Sequence, residues 1–522
     1  MSASSSPVAA NVITNIELKS HQVKPYKLIH DNFCQSTSTL ICAPTGSGKT
    51  VVAIKLAKSY GMTLFVIGPA NVESTWVEEE AKKYGINIVF ISYTMLAGRK
   101  NSRTGNVVIS HSYLVHNNDE YYPTEAFQKL VDQRILLVFD ESQNAKNPAA
   151  ACTKACHALS RFVRNKNNGS RIVLLSATPF DKTELAESVV KLMGIIKKHE
   201  LFFFNIGIND YVMDGYGFNE MVEYCIKLDP IMTNSLIPEH ISAKSIRQAI
   251  YDMFIGIIKP RMVFSMPKPV IHAKFVAEAR YFSLLPNETE AVKTAIGKLN
   301  KASRSEDGEV RMTNRNIGAI IKAFVELEFA KVGIFERYAK HLLDTVPNSK
   351  VVIYLWHDQS VDYLLSVLSK YGVLRCDGKV NKKTRGKYKM LFQQPNLNYR
   401  VIIAKPTAFG VGISLDDRDG KFPRFTLINP NYMFDKIHQA AGRTYRATTA
   451  SNAYCALCYV KDTEERSIML ALRRKSDVTI EITALSELEE DTLEEDDEGT
   501  VEENKTIYPA DYPTIIDDTR YN

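Results

Sequence analysis

The sequence predicts an α/β protein made of two parallel-sheet halves with a helical insertion between them. Three observations carry this expectation. From about residue 37 to 180, short β-branched runs alternate with stretches of helical periodicity, and a second such series opens at 349. Between roughly 190 and 345 the apolar residues recur mainly at helical spacing. The expected divisions are 1–190, 191–345 and 346–485, followed by an acidic remainder at 486–522.

In the first half the strand-like runs are "STLICA", "TLFVIG", "INIVFIS", "NVVISH", "ILLVFDE" and "RIVLLSA". Unbroken apolar strands of this kind fit a parallel sheet covered by helices on both faces. "SKVVIYLW", "VLRCDG", "YRVIIAK", "FTLINP" and "AYCALCYV" make up the second series. In the middle, "RQAIYDMFIGIIKPRMV" and "NIGAIIKAFVELEFAKVGIFERYAKHLL" are the clearest amphipathic stretches, and the polar "LNKASRSEDGEVRMTNRN" reads as a loop.

With 522 residues and 45% hydrophobic content, the chain can bury a core in each half, which excludes a disordered protein. It has no unbroken apolar run of 18 residues, and "MSASSSPVAANVITN" lacks the basic-then-apolar layout of a secretory signal. The expectation is an intracellular protein of nucleus or cytoplasm without membrane association. Eight cysteines are ordinary for a reducing compartment, and Cys455 and Cys458 read as small hydrophobes of a strand. Residues 487–503 hold eleven carboxylates and no Lys or Arg, so the formal charge of +6 would be +17 without them. A body that basic suits a polyanion such as nucleic acid. Protein partners are expected through the helical insertion or the acidic tail.

The chemistry starts at "APTGSGKT" (43–50), placed between an apolar run and a helical pattern. The N–H groups of a loop formed by Thr45, Gly46, Ser47 and Gly48 can surround a phosphate at the helix N-terminus. Lys49 can then reach the β- and γ-phosphates, and the Thr50 hydroxyl can hold Mg²⁺, so ATP and Mg²⁺ are the expected ligands. In "ILLVFDESQ", Asp140 and Glu141 follow an apolar strand, where Asp140 can hold the metal and Glu141 can polarise a water. "VLLSATPF" ends another strand on Ser176 and Thr178, placed to hydrogen-bond the acidic pair. In "HQAAGRTYR" (438–446), Arg443 and Arg446 lie three apart on an expected helix, able to neutralise charge on a transferring phosphoryl group.

Together these motifs resemble superfamily 2 helicases and translocases. "DESQ" is similar to their Walker B box, "SAT" to their third motif and "HQAAGRTYR" to their Q-x-x-G-R-x-x-R motif. "LKSHQVKPYKLI", "VIGPANVESTWVEEEAKKY", "CDGKVNKKTRGKYKMLFQ" and "AFGVGISLDDRDGKFPRFTLINP" narrow the resemblance to the Swi/Snf-like branch, over about residues 16–480. Ala43 stands where the Walker A loop usually opens on Gly, Gln143 where the branch usually has His, and "YRATT" replaces the usual R-I-G-Q continuation. The long stretch after Phe409 resembles strawberry-notch-like and large-DNA-virus helicases.

The resemblance implies two RecA-like domains, with Gln22 near the adenine and Gln439, Arg443 and Arg446 acting on the nucleotide from the second domain. It also implies that Gly410 and Gly412 let the backbone approach nucleotide or nucleic acid. A DNA translocase or helicase is the expectation, with DNA preferred over RNA. An RNA helicase of the same superfamily and a scaffold subunit with weak ATPase are the alternatives. Asn71, Thr75, Ser110, His357, Lys405 and Thr407 are candidate contacts to nucleic-acid phosphates, and Lys382, Lys383, Arg385 and Lys387 form a basic cluster.

Overall fold

The computed structural model describes residues 16–475, apart from 45, 101–106, 119, 148–149, 181–184, 197–200, 206–209, 214, 268–270, 304–316, 410–413, 461–464, 466–467, 470 and 473. Thr45, Gly410, Gly412 and the acidic tail therefore lie outside the described residues. Two six-stranded sheets, parallel throughout, form the frame. The first contains β1 (Ser38–Cys42), β2 (Thr63–Gly68), β3 (Ile88–Ser92), β4 (Ile135–Asp140), β5 (Arg171–Ser176) and β6 (Val263–Ser265), in the order β6-β1-β5-β4-β2-β3. The second contains β7 (Phe275–Phe282), β8 (Lys350–Tyr354), β9 (Val373–Cys376), β10 (Val401–Ala404), β11 (Arg424–Ile428) and β12 (Ala453–Val460), in the order β7-β12-β11-β8-β10-β9. Both are RecA-like parallel sheets, as the sequence implied.

The unbroken apolar strands have a direct cause in the packing. In β4, Ile135, Leu137 and Phe139 enter one core cluster while Leu136 and Val138 enter the cluster on the opposite face. In β8, Val351 and Ile353 face one core and Val352 and Tyr354 the other. With water on neither side, charged residues stand only at the ends of these strands, Asp140 in β4 and Lys350 in β8. The same geometry sends Cys455 and Cys458 of β12 to different cores, so the two thiols lie on opposite faces of the sheet.

Two runs depart from the expected pattern. "NVVISH" supplies only Val107–Val108, paired antiparallel with Arg99–Lys100 in a hairpin outside the main sheet. Val108 is 56% exposed there, so its β-branched character marks an edge and not a core strand. The segment 191–345 is not wholly helical and divides between the sheets. Leu40–Cys42 pairs with Val263–Ser265, and all eight residues of β7 pair with β12. "FVAEARYF" escaped notice because it is a sheet-edge strand carrying a Glu278–Arg280 ion pair at 2.7 Å, without an unbroken apolar run. We propose that the halves divide between Met266 and Lys274, with the helices of 215–262 packed on the first sheet and Val332–Thr345 on the second.

Helix Val332–Thr345 is anchored just before its start. The ammonium of Lys331, fully buried, donates to the Glu465 carboxylate and to Cys458 O at 3.3 Å, while Glu465 also accepts the Val460 N–H at 2.9 Å. Removing one partner of such a pair leaves the other charge buried alone. Lys331→Met should therefore cost about 3–5 kcal/mol of folding stability. Denaturant titration of the variant checks this, and an unchanged midpoint would contradict it.

Candidate active site

The phosphate loop joins β1 to helix Lys49–Ser59. Gly46 and Gly48 both have φ of +86°, a conformation costly to residues with a Cβ, which accounts for glycine at these two places. Lys49 Nζ donates to the loop carbonyls of Ala43 at 2.6 Å and Pro44 at 3.2 Å, and Ser47 Oγ closes on Pro44 O at 2.7 Å. Burial lowers the Lys49 pKa, with Glu141 and Asp140 pulling the other way. Gln22 lies against this loop. Its Nε2 donates to Ser47 O at 2.8 Å and its Oε1 accepts the Lys19 N–H at 2.9 Å. A Cβ on Gly48 would come within 2.1 Å of Gln22 Nε2. The side chain expected beside the base thus braces the loop that faces the phosphates.

At the end of β4, Asp140 Oδ2 accepts the indole N–H of the fully buried Trp76 at 2.8 Å. Burial, seconded by the neighbouring Glu141 charge, pushes the Asp140 pKa up to about 6, while Trp76 and Lys49 hold it down. Glu141 adopts left-handed backbone, φ 52° and ψ 54°, a strained setting for a side chain of its size. That setting brings its Oε2 to Gln143 Nε2 at 2.6 Å. Gln143 Oε1 in turn accepts Ser176 Oγ at 2.6 Å, and Ser176 Oγ accepts the Thr178 N–H at 3.0 Å. Ser176 reaches the acidic pair through Gln143, one residue further removed than direct contact. The Thr178 hydroxyl has no partner among the described residues.

From the second half, Gln439 Nε2 donates to the same Glu141 Oε2 at 3.1 Å. Lys146 and Asp435 add a second link between the halves at 4.0 Å. Gln439 lies on helix Phe434–Ala441, but Arg443 and Arg446 do not share it. The helix closes at Gly442, whose N–H bonds His438 O at 3.3 Å, and the Leu415 N–H then takes Arg443 O at 2.8 Å. The two arginines are delivered by a loop because the chain leaves the helix to pair with residue 415. Arg446 lies over the phosphate loop, its Nη1 3.2 Å from where a Gly46 Cβ would stand. Burial, with Arg443 adding to it, brings the Arg446 pKa down to about 9, and burial also lowers that of Arg443.

These groups surround a cavity of about 410 Å³, a volume suited to a nucleotide. Gly46, Gly48, Lys49 and Thr50 form one wall, Thr75, Trp76, Asp140 and Glu141 another, and Ser414, Arg443, Arg446 and Thr448 the facing one. Two adjacent buried guanidiniums are costly without an anion between the walls, and Arg446 Nε has no partner among the described residues. A polyphosphate fits that demand. Thr50 and Asp140, both on the cavity, are the residues that would hold a divalent cation.

Sequence reasoning missed the Trp76 indole as partner of Asp140 and the bridging amide of Gln143. The tryptophan within "VESTWVEEE" was the available signal. Of the candidate nucleic-acid contacts, Thr75 lines the nucleotide cavity, and Lys405 pairs with Asp358 at 2.6 Å.

The fold and site define a two-domain ATP-hydrolysing enzyme. Residues 15–181 match the family described as type III restriction enzyme, res subunit. A putative ATP-dependent RNA helicase of Acanthamoeba polyphaga mimivirus is 22% identical over 450 residues, covering 83% of this chain and 77% of that protein. The SWI2/SNF2 ATPase core domain of Sulfolobus solfataricus aligns at 16% identity and a TM-score of 0.31, covering 92% of each chain. The same core in complex with dsDNA aligns at 14% and 0.28, covering 92% of this chain and 99% of that one. The family match over residues 15–181 and the viral relative are in keeping with the helicase-type motifs of the sequence.

Trp76→Phe keeps the ring but removes the donor to Asp140. A hydrogen bond to a charged group contributes about 1.5–3 kcal/mol, so the Mg²⁺ concentration for half-maximal ATPase should rise roughly tenfold or more. Metal titration of the purified variant checks this, and an unshifted curve would mean that the indole does not set the Asp140 carboxylate.

Proposed function

We propose that the protein is an ATP-driven motor that moves along nucleic acid, with DNA as its track. The observation that carries this is the Glu141 carboxylate, hydrogen-bonded by Gln143 from its own half and by Gln439 from the other. A nucleotide site completed by a second domain ties the hydrolytic step to the relative position of the two sheets.

ATP is the substrate of the cavity. Loop N–H groups and Lys49 hold its phosphates, and Gln22 fixes the loop. Thr50 and Asp140 would hold Mg²⁺, which when bound neutralises phosphate charge and orients the γ-phosphate. Glu141, its carboxylate fixed by two amides, accepts a proton from the attacking water as the new O–P bond forms and the bond to the β-phosphate oxygen breaks. Arg446 and Arg443 balance the charge that develops on the γ-phosphate. Once phosphate leaves, the anion between Arg446 and Lys49 is gone and their mutual repulsion favours opening. Through Gln143, the Glu141 carboxylate is linked to Ser176, so the nucleotide state can reach the Ser176–Thr178 turn. Grip on the track alternates as the sheets open and close.

The choice of DNA is supported by the Swi/Snf-like motifs in the sequence, while the basic body suits either nucleic acid. RNA is the second reading, favoured by the name of the mimivirus relative. An intracellular site of action, and protein partners bound through the helices of 215–262 or the acidic tail, complete the proposal. Among the described residues no helix is long and apolar enough to cross a membrane.

The test is the ATPase rate of wild type and Glu141→Gln with no nucleic acid, duplex DNA, single-stranded DNA and RNA. Duplex DNA should stimulate the wild type most, and the variant should lose about 10²-fold or more in kcat. Stimulation by RNA alone would transfer the protein to the second reading. A wild type that no nucleic acid stimulates would contradict the motor.

A further inference from the structure

A polar arrangement in the second half plays no part in the ATPase chemistry. Glu328, in helix Ile317–Ala330, is 1% exposed. Its Oε2 accepts the Trp356 backbone N–H at 2.9 Å and Asn429 Nδ2 at 2.8 Å, and its Oε1 accepts the His357 backbone N–H at 3.0 Å. The Trp356 indole N–H closes the ring by donating to Asn429 O at 2.9 Å. Trp356 and His357 lie just past β8, and Asn429 directly follows β11. One carboxylate thus ties together two loops at the C-terminal edge of adjacent parallel strands, the edge at which open α/β sheets meet their ligands.

A carboxylate buried this deeply is costly unless its lone pairs are filled, so neither loop can leave Glu328 without stranding charge. An apolar side chain would fill the space at lower cost and would leave the loops free to shift. The arrangement also reaches a candidate phosphate contact. Asp358, which opens helix Asp358–Val367 directly after the tied loop, holds Lys405 at 2.6 Å at the end of β10. The position of that loop therefore decides how the Lys405 ammonium is presented.

We propose that Glu328 is a positioning residue that sets the loops with which the second half grips the phosphate backbone of its track. The inference rests on the motor reading above and assigns to the helical segment the alignment of the grip. Glu328 is remote in sequence from every ATPase motif, so its loss separates grip from hydrolysis.

Glu328→Gln keeps the shape but turns one accepting oxygen into a donor facing another N–H. The nucleic-acid concentration for half-maximal ATPase stimulation should rise about tenfold, with the unstimulated rate within about twofold of wild type. Asn429→Ala, which removes only the amide tie, should move the same quantity in the same direction and carries the test if Glu328→Gln does not fold. An unshifted half-saturation, or an equal fall in stimulated and unstimulated rates, would overturn the positioning role and leave the motor reading intact. A wild type unresponsive to DNA and RNA alike would overturn the motor reading, and the inference with it.

Discussion

The rest of the site depends on how one carboxylate is held. Glu141 occupies a left-handed backbone setting and presents Oε2 to an amide from each half of the molecule. A carboxylate with two directed donors has little rotational freedom, and an acid–base group needs a fixed direction more than it needs proximity alone. Because one donor, Gln439, belongs to the second half, the fixed direction exists only when the halves are together. The strain at Glu141 is thus placed where the two halves meet.

Charge burial explains the remaining geometry. Lys49, Asp140, Glu141, Arg443 and Arg446 are all largely buried around one cavity, and each is shifted or constrained by its neighbours. The arginines come from a loop tied to Leu415, so their placement is coupled to the chain that follows β10. On the first sheet, Trp76 gives Asp140 a neutral donor that leaves its charge available to a cation. Such a set is expensive when empty and stabilised by a bound polyphosphate.

Much of this was legible in the sequence. Strands buried on both faces announce themselves as unbroken apolar runs, and ten of the twelve sheet strands were read in this way. The other two escaped for physical reasons, since Val263–Ser265 is only three residues long and Phe275–Phe282 is a sheet-edge strand with charged side chains. Residues of the nucleotide cavity were legible because their spacing is local, as in the loop around Gly46 and Gly48. What could not be read were pairings across long separations: Trp76 with Asp140, Gln439 with Glu141, and Glu328 with the loops after β8 and β11. The shared helix expected for Arg443 and Arg446 failed because periodicity does not show where a chain leaves a helix so that its carbonyl can accept a distant N–H, here that of Leu415.

The most direct test of the central claim is a double-mutant cycle on kcat with Gln143→Ala, Gln439→Ala and the two combined. If both amides act by orienting the Glu141 carboxylate, each single change should lower kcat about tenfold or more. The double variant should then fall well short of the product of the two losses, because a carboxylate freed by one change has little orientation left to lose. Losses that multiply would contradict the account, since they would mean that the two amides act independently of each other.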